Sequence, residues 1–265
     1  MKSNGRARPA DGFTLLELMV STAIFMVICA AMFGLLQISQ QKYVAETEMS
    51  GAFQEARLGL DQVVRDIDSA GYPPPNLFSN LSNPLNYAAA PVAWSPNYPN
   101  TDCQIGTCTT PTDQDLIIET NTGGGMVWIR YQFDPAKGVL YRGVVPNTTG
   151  DPLSAFTGTG IMTPLVNNVL NYTNALTAPN APSLAQINAD YPTVLTLGSQ
   201  AIFVYSCSSP TGSVPCSSAG TFNEARYITD VDVTLIVQTP QPDAQTHGLK
   251  LIELTGRGRQ TNSGN

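Results

Sequence analysis

Apolar side chains run from Phe13 to Leu36 with a single ionisable interruption, Glu17. As a helix this segment of 24 residues rises about 36 Å, enough to cross a bilayer. Beyond Gln37 the pattern changes rather than stops. Met49, Phe53, Ala56, Leu60, Val64 and Ile67 recur at steps of three and four, while Glu48, Glu55, Arg57, Asp61, Arg65 and Asp68 take the opposite face. That spacing predicts an amphipathic continuation of the helix. Gly71 and the prolines at 73, 74 and 75 end it, since glycine accepts the left-handed terminating conformation and proline cannot carry the helix on. The reading is one helix of roughly 55 to 58 residues, about 85 Å long if unbroken. Gly51 and Gly59 are the places where it can bend.

Residues 73–112 contain eight prolines and many Asn and Ser, so they read as a long irregular loop. Regular alternation returns in "DLIIETN", "MVWIRYQFD" and "VLYRGVV", separated by Gly123 to Gly125 and by "PAKG". Short turn-forming links between strands predict an antiparallel meander. A second strand group follows "TGTG": "TPLVNNVLNYT", "QAIFVYS", "RYITDVDVTLIVQT" and "LKLIELTGR". Ile228, Val231, Val233, Leu235 and Val237 keep mostly to one alternating face, so this sheet needs a cover on one side, and the long helix is available. The expected fold class is α+β, with a long N-terminal helix, half membrane-type and half amphipathic, packed on an antiparallel β-sheet.

Composition narrows the picture. The chain has 265 residues and 42% hydrophobic content, which suits one anchored domain rather than two. Lys2, Arg6 and Arg8 precede the apolar run with Asp11 the one acid, and Lys42, Glu46 and Glu48 are the first charges after it. The positive-inside rule then places Met1 to Gly12 in the cytoplasm and the remainder across the membrane. Without residues 1–12 the chain loses three positive charges and one negative, taking the formal net charge from -7 to -9. A surface that acidic repels phosphate backbones and argues against nucleic acid as a partner.

Of five cysteines, Cys29 lies in the apolar helix and reads as a small apolar residue. Cys103, Cys108, Cys207 and Cys216 follow the membrane segment, in a compartment that the topology makes non-cytoplasmic and oxidising. Four cysteines allow three connectivities. The local pairs Cys103 with Cys108 and Cys207 with Cys216 are preferred to zinc, which wants tighter spacing with histidine support, and His247 is the only histidine.

Candidate chemistry is sparse. Serine-histidine and cysteine-histidine arrangements would all depend on His247, in the turn-like "DAQTHG", so a solvated loop histidine and no catalytic residue is the reading. Asp230 and Asp232 share a strand face, and Asp113 and Asp115 could converge similarly. Such pairs can bind calcium, but no rigid loop supplies further oxygens at recognisable spacing. A polar outer face is therefore preferred, with neither metal nor cofactor expected. "TGGGM" and "FTGTGIMT" lack the strand-to-helix setting of a phosphate site and read as turns. Tyr72, Tyr87, Trp94 and Tyr98 fall in the irregular loop, as anchors for it or as an exposed binding patch, the former preferred.

Glu17 remains unexplained by these readings. A carboxylate near the centre of a membrane helix costs about 2.5 to 3.5 kcal/mol and usually marks function. A secretory signal would want an uninterrupted core, a lipoprotein signal would put a small residue where Ile28 stands before Cys29, and a plain anchor leaves the charge without a purpose. The short basic leader, Gly12, "FTLLE" and the apolar run behind it resemble the class III signal of type IV prepilins and pseudopilins. The resemblance implies cleavage after Gly12 by a prepilin peptidase, N-methylation of Phe13, and a role for Glu17 in assembly, its carboxylate meeting the N-terminal amine of a neighbouring subunit.

Further along, "ARLGLDQVVRDIDSAGY", "YQFDPAKGVLYR" and "PLVNNVLNYT" are similar, more loosely, to segments of PilW-like minor pilins and of the J-type pseudopilins of type II secretion. This implies a leader at 1–12, a transmembrane and filament-core helix at 13–36, an amphipathic continuation at 37–71 and a periplasmic or extracellular β domain at 72–265. The implied partners are other pilins and minor pilins, the prepilin peptidase, an inner-membrane assembly platform and the lipid bilayer. The implied location is the inner membrane as a single-pass precursor, then a pilus at the periplasm and cell surface. An adhesin that borrows the prepilin route and works through residues 73–112 is the rival from another class.

Overall fold

The computed structural model describes residues 14–96, 103–148, 151–172, 200–239 and 250–261. The chain forms two compact units, Met1–Thr47 and Glu48–Asn265. Helix α1, Leu15–Ser69, is continuous through 55 residues. Its apolar side chains in the first unit, among them Leu16, Phe25, Phe33 and Leu35, are exposed. In the second unit it buries Ala56, Gly59, Leu60, Val63, Asp66 and Ile67. It stops where Gly71 takes a φ of 80°, a left-handed conformation that costs glycine little.

The second unit holds two antiparallel sheets where the sequence pattern predicts one. Strands β1 (Asp115–Asn121), β2 (Met126–Asp134), β3 (Val139–Pro146) and β4 (Met162–Val166) lie in that order in the first, with a short helix α2, Pro152–Ala155, before β4. The second sheet is ordered β6-β5-β7-β8 from strands β5 (Phe203–Ser209), β6 (Gly212–Pro215), β7 (Ile228–Gln238) and β8 (Leu251–Arg259). The stretch "TPLVNNVLNYT", expected as one strand of the second group, is divided between them. Its first part is β4, paired with β3. Asn168 then turns the chain with a φ of 57°, which asparagine tolerates better than most residues. Beyond it the Leu170 N–H donates to Ile236 O at 2.8 Å and the Gln238 N–H to Asn168 O at 3.0 Å, so residues 168–171 extend the second sheet beside β7.

One core joins the helix to both sheets. Leu60, Val63 and Ile67 pack with Leu116, Ile118, Ile129, Leu140 and Val166 of the first sheet and with Val231, Val233 and Leu235 of the second. This is an α+β fold, a long N-terminal helix packed on antiparallel sheets. Within the core a polar group is held: Asp66, 8% exposed, accepts from the Tyr131 hydroxyl at 2.6 Å and from Arg142 Nη2 and Nε at 2.8 and 2.9 Å through Oδ2. Its Oδ1 accepts from Gln62 Nε2 at 2.8 Å. The neighbouring carboxylate and burial together push the Tyr131 hydroxyl far above its ordinary pKa, burial being the larger cause.

Of the two glycines that the sequence pattern offers as bends, close approach explains Gly59 and not Gly51. The helix runs through Gly51 and Gly59 without interruption. A Cβ on Gly59 would lie 2.3 Å from Val166 Cγ2, and one on Gly258 would lie 2.6 Å from Ile67. A Cβ on Gly51 meets nothing within 4 Å. Gly51→Ala is therefore expected to stabilise the protein by up to about 1 kcal/mol through helix propensity. Gly59→Ala is expected to destabilise it by about 1 to 3 kcal/mol, because overpacking outweighs the same propensity gain. Urea midpoints of the two variants against wild type check this, and equal shifts of the same sign would refute the steric account.

Candidate functional site

The amino end of α1 is built as a reciprocal cap. Thr14 precedes the first helical residue and Glu17 is the third within it. The Thr14 N–H and hydroxyl donate to Glu17 Oε2 at 2.9 and 3.0 Å, and the Glu17 N–H donates to Thr14 Oγ1 at 3.3 Å. This is the capping-box arrangement, in which a threonine and a glutamate three residues on satisfy each other's main-chain N–H groups. It also sets a negative charge at the positive end of the helix dipole. Oε1 takes no hydrogen bond among the described residues. Around the pair the exposed side chains are Leu15, Leu16, Leu18, Met19 and Val20, and the helix contains an 18-residue window of mean hydropathy 2.3, apolar enough to cross a membrane. The charge-bearing site is thus one carboxylate on an otherwise apolar rod, with Gly12 and Phe13 just outside the described residues.

The acidic pairs are committed to cations and hydroxyls of the protein itself. Asp230 Oδ1 lies 3.2 Å from Arg257 Nε and Asp232 Oδ1 lies 3.7 Å from the same atom. Burial, the largest single influence, would raise the Asp230 carboxyl, but the hydrogen bonds from Arg257 and Thr229 and the charges of Arg257 and Arg259 together outweigh it and hold it below the usual carboxylate range. Asp115 forms a two-bond pair with Arg130, whose Nε lies 3.0 Å from Oδ1, while Asp113 accepts from the Tyr172 hydroxyl. Among the described residues no three His, Cys, Asp or Glu side chains gather as metal ligands would. His247 and Tyr98 lie outside the described residues.

Both local disulfides are formed, Cys103 to Cys108 and Cys207 to Cys216, with Cα separations of 5.3 and 4.8 Å, and Cys29 is a free thiol in α1. The second bridge closes the β5–β6 hairpin, a pairing that pattern reading missed, its turn marked by Gly212 at φ 115°. "TGGGM" is the β1–β2 turn, with Gly123 and Gly125 at φ 95° and 123°. Of the loop aromatics, Trp94 is half-buried and bridges to Thr110 through main-chain bonds of 2.9 and 3.0 Å. Tyr87 folds the loop on itself, its ring 6.0 Å from Phe78 and its hydroxyl donating to Leu81 O at 3.0 Å. Tyr72 stands 50% exposed. A cleft of about 430 Å³ lies between the two disulfide loops, lined by Ile105, Pro111, Asp113, Phe203, Tyr205 and Pro215 among others. Its phenol is already spent, since the Tyr205 hydroxyl donates to Thr112 O at 2.6 Å.

Residues 8–33 match the model of the prokaryotic N-terminal methylation motif. The match spans Gly12, Phe13, the Thr14–Glu17 cap and most of the apolar run. No curated protein matches the chain. Among solved structures, a type IV-like pilin from Thermus thermophilus aligns with a TM-score of 0.36 at 10% identity, over 80% of this chain and 97% of that one.

Proposed function

We propose that this type IV pilin-type protein is a minor subunit of the PilW-like kind, made as a membrane-anchored precursor and joined to a filament through α1. Its work is structural and not enzymatic. The observation that carries the reading is the methylation motif set on a helix whose first half exposes mostly apolar side chains, with Glu17 its one carboxylate. In water such a surface is unstable, because each exposed leucine or phenylalanine forgoes about 1.5 to 3 kcal/mol of burial. Lipid covers it before assembly and neighbouring helices cover it afterwards.

In this reading Gly12 is the residue before the cut, Phe13 carries the new methylated amine, and Glu17 meets that amine on an adjacent subunit. Partners are then other pilins, the peptidase and the inner-membrane assembly platform. The precursor sits with its leader in the cytoplasm. Co-expression with a prepilin peptidase is expected to shorten the protein by its 12 leading residues and leave a single methyl group on Phe13. Intact-mass analysis reads both events together, and retention of Met1 in the membrane-inserted protein would overturn the assignment. A pseudopilin of type II secretion would pass the same test. Deleting the gene separates the two, since loss of surface filaments marks a pilus subunit and loss of secreted enzymes marks a pseudopilin.

A further inference from the structure

The first sheet has an edge at β1, and the chain that follows α1 is laid along it. The Gly71 N–H donates to Glu119 O at 3.0 Å, the Glu119 N–H to Pro91 O at 2.9 Å and the Asn121 N–H to Tyr72 O at 2.9 Å, and the Thr120 hydroxyl donates to Ser69 O at 2.7 Å. An uncovered edge strand is a template for pairing with another chain, and here residues 69–72 and 88–91 occupy it. What secures the second of these is a carboxylate. Glu119, 4% exposed, accepts from the Ala90 N–H through Oε2 at 2.6 Å and from the Asn147 side-chain amide through Oε1, tying the cover to the end of β3.

Among the described residues no cation is paired with that carboxylate. From Ser69 to Thr101 the sequence contains no Asp, Glu, Lys, Arg or His, so the cover brings no charge to it. Across β2 its register partner is Trp128, and Asn147 is neutral. The charged groups that share this face of β1 and β2 are Asp115 and Arg130, bonded to each other. Asp151, beside α2, accepts from the Leu153 N–H at 2.8 Å, and at the end of α1 Asp68 accepts from the Arg259 N–H at 2.8 Å. We propose that Glu119 is a proton-controlled latch: protonated, it holds the segment 88–91 on the β1 edge, and ionised, it releases that segment and uncovers the edge.

Burial, opposed only by the Ala90, Asn147 and Ala89 hydrogen bonds, raises the Glu119 carboxyl from an ordinary 4.5 to about 7. A group whose pKa is raised on folding contributes its stabilisation fully below the unfolded value and loses it as pH climbs through the folded one. The latch is therefore closed below about pH 4.5 and opens towards pH 7. Protonated, Glu119 can donate its hydroxyl to Asn147, whose amide oxygen and nitrogen exchange places by a flip. Glu119→Gln keeps the same shape and the same reciprocal bond without the charge.

Hydrogen exchange on the full chain in detergent micelles, expressed as protection relative to each amide's intrinsic rate, tests this between pH 5 and pH 8. Protection over 69–72, 88–91 and 117–121 is expected to fall at least tenfold in the wild type, while that of β7 stays constant. In Glu119→Gln it is expected to remain high at both pH values. A flat wild-type profile, a fall that includes β7, or an equal fall in the variant would each overturn the latch. Should the variant not fold, the wild-type profile alone decides between a local fall and none.

Discussion

Asp66→Ala is expected to destabilise the folded unit by about 3 to 5 kcal/mol, the range for removing one partner of a buried ion pair. The loss is large because four hydrogen bonds from three side chains converge on that carboxylate. Oδ2 receives both the Tyr131 hydroxyl and two Arg142 nitrogens, and Oδ1 receives Gln62. Without it the Arg142 guanidinium, its side chain 24% exposed, keeps its charge in a low-dielectric setting. Tyr131, wholly buried, loses the acceptor to which its hydroxyl donates. Asp66→Asn retains oxygen as an acceptor and loses the charge, so its cost should fall between that of Ala and zero. Replacing the three together, Asp66→Leu with Tyr131→Phe and Arg142→Met, should recover most of the loss, since no buried polar group is then left unpaired. Urea unfolding followed by the fluorescence of Trp128 and Trp94 gives the ranking. A loss under about 1 kcal/mol for Asp66→Ala would place the pair in the class of surface salt bridges and refute its structural role.

Asp66 also shows where pattern reading stops. The amphipathic stripe is legible because apolar residues recur at helical steps, and the structure buries Ala56, Leu60 and Ile67 as that stripe requires. The centre of the buried face is shifted, though: Val63 is fully buried while Val64 is only half so, and the shift brings Asp66 inside. Nothing local announces this. A helical aspartate usually faces water, and its partners Tyr131 and Arg142 are 65 and 76 residues away in sequence. Glu119 is hidden for the same reason. Alternation puts it on the face away from α1, where the return of residues 88–91 and the Asn147 amide close over it.

Other departures did carry a local signal. Asn167 and Asn168 inside "TPLVNNVLNYT" mark a strand break, because asparagine takes the left-handed region that β-branched residues avoid. Gly256 and Gly258 in "TGRGR" mark a strand that something approaches closely, and that something is Leu60, Val64 and Ile67 of α1. The number of sheets is different in kind. Alternation reveals which residues are strands, but the pairing of β4 with β3 and of β7 with both β5 and β8 is set by contacts across the chain. Glu17 was singled out by its setting alone, as the one charge in an apolar run. The structure adds that Thr14 is its partner within the same helix.

That local partner sharpens what Glu17→Ala can prove. The variant is expected to insert in the membrane at least as well as wild type, because a charge is removed, and to be cut after Gly12, yet to be absent from filaments. Two losses accompany it. The capping box goes, which costs a helix end about 0.5 to 2 kcal/mol. The attraction to a neighbouring Phe13 amine goes too, and at 4 Å and an effective dielectric of 20 this is a gross Coulomb energy of about 4 kcal/mol. Glu17→Gln separates them, since glutamine serves at this position of a capping box and bears no charge. If the charge pair drives incorporation, Glu17→Gln fails like Glu17→Ala, although its helix start is intact. If capping is the whole role, Glu17→Gln assembles like wild type. Sheared filaments and membranes from cells expressing tagged versions of each, compared by immunoblot, give the answer. We expect both variants in the membrane fraction at wild-type level and neither in filaments. Normal incorporation of Glu17→Gln would remove the inter-subunit contact from the account and leave Glu17 as the cap that Thr14 completes.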